Sequence, residues 1–263
     1  MPKFSANLTL LFNEAGFLDR FERAAKAGFR AVEYMFPYDY AVERLVEKLL
    51  ENNLRQVLFN LPAGKWGPDE RGIALDPERI GEFQDGVGRA IDYAGHLGCS
   101  QVNCLVGLTP SLPPETITAT LLQNLRFAAE QLAQNRIRFL IEPLNTRDFP
   151  GFYLTSTAQA LALIREVNHP NLFYQYDIYH MQVMEGDLMT TIKTHLDQIA
   201  HIQIADNPGR HEPGTGEINY PNLFSFLDRI GYQGFVGCEY KPLNNTEEGM
   251  GWIRPYLDQE VPS

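Results

Sequence analysis

Eight short apolar runs, each followed by a longer segment of helical period, dominate the pattern of this 263-residue chain. The strand-like runs are Phe4–Phe12, Ala31–Phe36, Gln56–Leu61, Gln101–Val106, Phe139–Leu144, Leu172–Ile178, Ile199–Ala205 and Phe235–Tyr240. Helices are expected near Phe17–Ala27, Ala41–Asn52, Pro77–Leu97, Pro114–Gln134, Thr157–Val167, Leu188–His195 and Tyr220–Ile230, with a last one over Thr246–Leu257. Gly28, Gly98 and Gly231 each stand just past a helix and before a strand, where a left-handed C-cap suits glycine. Strands separated by helical crossovers run parallel, and at this length eight such units close economically into a (β/α)8 barrel. A doubly wound open sheet is the alternative, but no Gly-x-Gly-x-x-Gly follows the first strand. No repeat, low-complexity tract or linker divides the chain, so residues 1–263 are read as one domain.

Composition narrows the partners. Hydrophobic residues make up 44% of the chain, with 16 Phe and 12 Tyr, which supports a large core and argues against disorder. The formal net charge is −11 and no basic run occurs, so nucleic acid and anionic membrane surfaces are poor partners. Cys99, Cys104 and Cys238 are odd in number and lack Cys-x-x-Cys spacing; they read as packing residues in a reducing cytoplasm. No charged leader with an apolar h-region opens the sequence, and no apolar run is long enough to span a membrane.

The chemistry concentrates at the ends of the last four strands. Glu142 follows Arg-Phe-Leu-Ile, Asp177 follows Phe-Tyr-Gln-Tyr, Gln203 lies in Ala-His-Ile-Gln-Ile, and Glu239 follows Phe-Val-Gly-Cys. A buried carboxylate is costly unless paired, hydrogen-bonded or bound to metal. Barrel active sites sit at the C-terminal strand ends, so four oxygen ligands on strands 5 to 8 would surround one point. An all-oxygen set favours Mg²⁺ or Mn²⁺ over zinc. Three carboxylates around a dication leave net negative charge, so an anionic substrate needs a cation nearby. His180 and Arg210 follow strands 6 and 7, and Lys241, two residues past Glu239, is expected to share its strand face; Lys65 and Arg71 lie in the long Gly- and Pro-rich loop 62–76, which is long enough to be a lid. Blander roles compete. His180 could be a hydrogen-bonded core histidine, and His201 reads as structural. Asp187 and Asp206 read as turn or cap residues. Glu33 is expected to pair with a neighbouring Lys or Arg. The aromatic run Tyr34–Tyr40 either walls a pocket or packs on the first helix.

Taken together, several motifs carry a family resemblance. They include Phe-Pro-Tyr-Asp-Tyr (36–40), Asn-Leu-Pro-Ala-Gly (60–64), Ile-Glu-Pro-Leu-Asn (141–145), Gln-Tyr-Asp-Ile-Tyr-His-Met-Gln (175–182), Gln-Ile-Ala-Asp-Asn-Pro (203–208), Glu-Pro-Gly-Thr-Gly-Glu-Ile-Asn-Tyr (212–220) and Val-Gly-Cys-Glu-Tyr-Lys-Pro (236–242). The chain resembles the hydroxypyruvate isomerase family of xylose-isomerase-like barrels over nearly its whole length. The resemblance implies that Glu142 and Glu239 are the acid/base pair and that Glu142, Asp177, Gln203 and Glu239 ligate a divalent metal. It implies a small hydroxy-oxo acid substrate in glyoxylate metabolism, hydroxypyruvate interconverting with tartronate semialdehyde, and leaves homo-oligomerisation open. A carbon acid beside a carbonyl ionises too weakly alone, so metal and glutamate would share the work of enediolate formation. Relatives that epimerise ketoses carry His where Gln203 stands, which argues against a ketohexose 3-epimerase; a 2-oxo-tetronate isomerase is the nearer alternative. Barrel endonucleases for abasic DNA and a catalytically silent metal-binding barrel are more remote.

Overall fold

The computed structural model describes residues 1–257. Eight parallel strands close in sequence order: β1 Lys3–Asn7, β2 Ala31–Glu33, β3 Arg55–Asn60, β4 Gln101–Cys104, β5 Arg138–Ile141, β6 Leu172–Asp177, β7 Ile199–Ile204 and β8 Phe235–Cys238. The pairing of β8 with β1, Lys3 opposite Phe235 through Ala6 opposite Cys238, seals the barrel. Around it run α1 Arg20–Lys26, α2 Val42–Glu51, α3 Ile80–Leu97, α4 Pro114–Gln134, α5 Thr157–Val167, α6 Ile178–Met184, α7 Leu188–Thr194, α8 Tyr220–Arg229 and α9 Arg254–Leu257.

Three departures from the sequence pattern have local causes. First, the strands stop short of the apolar runs. Leu8, Leu11 and Phe12 are fully buried, but in turns beyond β1, because burial continues where the ladder ends. Second, α6 follows β6 without a loop: Asp177 caps it by accepting the His180 N–H at 3.0 Å. Third, the C-terminal helix is broken into a 3₁₀ turn, Glu248–Trp252, and the short α9, consistent with Gly249, Gly251 and Pro255 in that segment.

The aromatic run after β2 divides: Tyr34 and Tyr40 lie 5.2 and 4.8 Å from the Phe17 ring of the first helical segment, Tyr34 also lines the cavity described below, and Phe36 and Tyr38 pack on Trp66 and Tyr93. The barrel interior is polar. Ser5, Asn7, Glu33, Gln101, Asn103, Gln175, His201 and Gln203 are buried, and several bond to strands that are not neighbours, so those bonds cross the lumen. A small apolar cluster of Ala31, Val57, Leu58, Leu140 and Ala200 forms separately from the main core. Loop 62–76 is docked against the loop after β4: the Ala74 N–H donates to Val106 O at 3.1 Å, and Gly72, at φ 134°, lies where any Cβ would strike the Leu105 carbonyl.

Candidate active site

A narrow cavity opens at the C-terminal end of the barrel. Asn7, Glu33, Glu142, Gln175, His180, Gln203, Arg210 and Glu239 supply its polar lining; Tyr34, Trp66, Leu105, Leu144 and Phe149 supply apolar walls. That mixture of apolar walls and convergent polar groups is the lining of a small-molecule site.

Glu142 stands one residue past β5, and its Oε2 accepts from Asn103 Nδ2 at 3.0 Å. Asp177 closes β6. One of its oxygens caps α6; the other, Oδ2, is buried without a hydrogen-bond partner among the described residues and lies 3.8 Å from His180 Nε2. Glu142, Asp177 and His180 can bring ligand atoms within 4.8 Å of one another, a group that could hold a metal ion. The histidine differs from the other two in one respect. Its Nδ1 accepts the backbone N–H of Asn145 at 3.0 Å. Burial lowers its pKa well below the ordinary histidine value, so the ring is neutral and its one proton is on Nε2. His180 therefore presents an unpartnered N–H donor to the cavity.

Gln203, near the end of β7, accepts from Gln175 Nε2 at 2.7 Å and donates to Glu33 at 2.7 Å. Glu239 follows β8. Its Oε1 is paired with Arg210 and its Oε2 accepts from Asn7 Nδ2 at 3.3 Å. Arg210 is held inward by an organised loop. Asp206 accepts backbone N–H groups of Asn207, Gly214, Gly216 and Ile218, a turn role as its sequence context suggested. The guanidinium stacks 5.5 Å over Tyr179 and reaches within 4.0 Å of Asp177. It does not meet Glu212, which instead accepts the Leu243 N–H at 2.9 Å.

Burial raises all three carboxyl groups. Glu142 rises well above the usual range through desolvation, with repulsion from Glu239 and Asp177 adding to it. Asp177 is raised by burial despite Arg210. Glu239 is pushed up to about 8 by burial, against the attraction of Arg210. Crowded, desolvated carboxylates with an orphaned oxygen among them fit a dication, which would relieve both burdens.

The remaining cations fall elsewhere. Arg71 stacks 4.8 Å from the Trp66 ring and 5.2 Å from Phe149, both cavity walls. Lys241 is exposed and outside the cavity lining: the strand ends at Cys238, so alternation does not carry on to residue 241. Glu33 departs from expectation most. It pairs with no Lys or Arg but with His201, 2.9 Å away across the lumen. Asn7, Asn103 and Gln175 also serve the site; an amide at or near a strand end is the only signal the sequence offered for them.

The fold and the site define a class. Residues 21–256 match the family model for the xylose isomerase-like TIM barrel, and the chain belongs to that family. It is 56% identical to hydroxypyruvate isomerase of Escherichia coli over 97% of this chain and 100% of that protein. It is 46% identical to 2-oxo-tetronate isomerase of Cupriavidus necator, covering 98% and 99%. A crystal structure from Brucella melitensis, described as an AP endonuclease of family 2, superposes with a TM-score of 0.95 at 46% identity, covering 97% of this chain and 99% of that one. Within the family, this chain is an isomerase.

Proposed function

We propose that this isomerase interconverts hydroxypyruvate and tartronate semialdehyde, using Glu142 and Glu239 as its acid/base pair. The observation that carries the reading is the placement of these two buried carboxylates on one small cavity, each steadied by an asparagine. Two such groups can divide the transfer, one removing a proton from the first carbon and the other delivering one to its neighbour. Burial raises both carboxyl groups in the metal-free protein, and a bound dication would draw them back towards the ionised form that takes up a proton. Asn103 and Asn7 fix the carboxylate planes, and Arg210 holds Glu239 against the cavity wall.

Glu142, Asp177, Gln203 and Glu239 would hold a divalent ion, and their oxygen donors favour Mg²⁺ or Mn²⁺. Such an ion supplies positive charge to the substrate's carbonyl and hydroxyl oxygens as the carbon acid ionises. His180 donates its Nε2–H to a substrate oxygen, a neutral contact that adds no charge to the centre. The substrate carboxylate meets a cation on loop 62–76, since the charge of Arg210 is already balanced by Glu239. Gln203, rather than histidine, supports an oxo-acid over a ketose.

The deciding assay offers hydroxypyruvate, a 2-oxo-tetronate and a ketohexose to the purified protein with added Mg²⁺ or Mn²⁺, and again with chelator. Highest kcat/KM on hydroxypyruvate, lost with chelator, is the expected result. A clear preference for the 2-oxo-tetronate would move the chain to that substrate, in line with its similarity to the Cupriavidus necator enzyme; turnover untouched by chelator would remove the metal from the mechanism.

A further inference from the structure

The cavity lining includes a buried carboxylate that neither the proton transfer nor the ligand set uses. Glu33 ends β2 and is 1% exposed. Four donors from two other strands, β1 and β7, converge on it. Ser5 Oγ at 2.8 Å and His201 Nε2 at 2.9 Å serve Oε2. Gln203 Nε2 at 2.7 Å and Asn7 Nδ2 at 3.2 Å serve Oε1. Gln101 Nε2 donates to His201 Nδ1 at 3.3 Å, which leaves the histidine's Nε2 proton to point at Glu33. Room for the carboxylate comes from Gly237, opposite Gln203 on β8, where any Cβ would overlap both Glu33 oxygens.

A carboxylate is acceptor-only. It can meet Gln203 only through the amide NH₂, so the Gln203 oxygen must face the opposite way, towards Gln175 and the cavity. An amide side chain by itself has no such preference, since its two ends are nearly the same size. We propose that Glu33 is the positioning residue that fixes the orientation of Gln203 and so makes it an oxygen donor to the metal centre. This rests on the preceding reading of Gln203 as a ligand. A glutamine at position 33 would break the arrangement: its own NH₂ must face one of the two donor pairs, and when it faces Gln203 the amide there turns over and withdraws its oxygen. Partners that orient a metal ligand typically contribute about 10- to 100-fold to metal affinity.

The experiment titrates metal-free protein with Mn²⁺, following free ion by electron paramagnetic resonance, with circular dichroism as the check on folding. Glu33→Gln is expected to keep the fold and weaken Mn²⁺ binding by about 10- to 100-fold. Glu33→Asp keeps the charge with a shorter reach and should fall between it and the native protein. Gln203→Ala should weaken binding as much as Glu33→Gln, and the double variant should lose little more. If Gln203→Ala weakens binding while both Glu33 variants bind as the native protein does, the positioning role is wrong and the ligand reading stands. If Gln203→Ala binds Mn²⁺ normally, Gln203 is no ligand and both readings fall. If neither Glu33 variant folds, Glu33 is a structural member of the core and the proposal is overturned.

Discussion

Replacing Arg71 with methionine tests how the enzyme holds an anionic substrate. The buried centre is already acidic, and its resident arginine, Arg210, is engaged with Glu239 and close to Asp177. Arg71 has no carboxylate partner among the described residues. Its neighbour Glu70 is taken by Arg79, and its guanidinium is held by the Trp66 and Phe149 rings that wall the cavity. Two cation–π contacts at a half-exposed site contribute about 0.5–1 kcal/mol each, so Arg71→Met should lower stability only slightly. A charge-assisted hydrogen bond to a carboxylate is worth about 1.5–3 kcal/mol, which is about 10- to 150-fold in kcat/KM. The loss should appear chiefly as a higher KM for hydroxypyruvate, while an uncharged ketose, if turned over, should be little affected. Arg71→Lys keeps the charge without the fork and should recover part of the loss. Steady-state kinetics on the charged and neutral substrates side by side decide the matter. An equal loss on both, or no loss on hydroxypyruvate, would refute the assignment and return the anion to Arg210.

Two more outcomes follow from the same geometry. Glu142→Gln and Glu239→Gln should each fold and lose about 10²- to 10⁴-fold in kcat, because an amide cannot take up the proton; bound metal is measured alongside, and near-native turnover in either variant would take that glutamate out of the proton transfer. On loop 62–76, burial alone would raise the Glu70 pKa, but hydrogen bonds from Arg79 and the Lys65 N–H, with the charge of Arg79, hold it below the ordinary glutamate value. A lowered folded-state pKa gives stability that is present above the unfolded value and is lost as pH falls through the folded one. Hydrogen exchange across residues 62–76 should therefore lose protection on acidification below the ordinary glutamate range; unchanged protection there would show that the ion pair does not hold the loop.

The barrel was legible because its signal is local and repeated. Each apolar run is its own evidence for a strand, and glycine or an N-cap marks the borders. The positions of Glu142, Asp177, Gln203 and Glu239 were legible for the same reason, a polar residue closing an apolar run. What escaped depended on distance along the chain. His201 and Glu33 are 168 residues apart and meet only because β2 and β7 face each other across the lumen. No pattern around Glu33 distinguishes that partner from a surface lysine. Arg210 turns inward because Asp206 ties down a loop whose course is set by backbone bonds and by the αL conformation of Arg210 itself, at φ 60°. Lys241 was misplaced by extending strand alternation past Cys238, where the ladder has stopped. The short α6 was hidden because its seven residues give too little periodicity to separate it from the end of β6.

The Brucella melitensis structure raises the question of why this fold should not act on abasic DNA here. Duplex binding draws its affinity from neutralised phosphates, and a protein making several such contacts needs a basic face. This chain carries a net charge of −11. A lesion could enter only as an extruded nucleotide with its flanking phosphates lying across the rim. The rim offers Arg71 between two aromatic rings beside a loop on which Asp69, Glu70 and Asp76 are matched by Lys65, Arg71 and Arg79, a balance of charge rather than a basic face. Deeper in, Arg210 is neutralised by Glu239. One uncommitted arginine beside a narrow cavity matches a small substrate bearing one carboxylate. A duplex would find a rim loop of balanced charge, not the basic face it needs, before it reached the two glutamates.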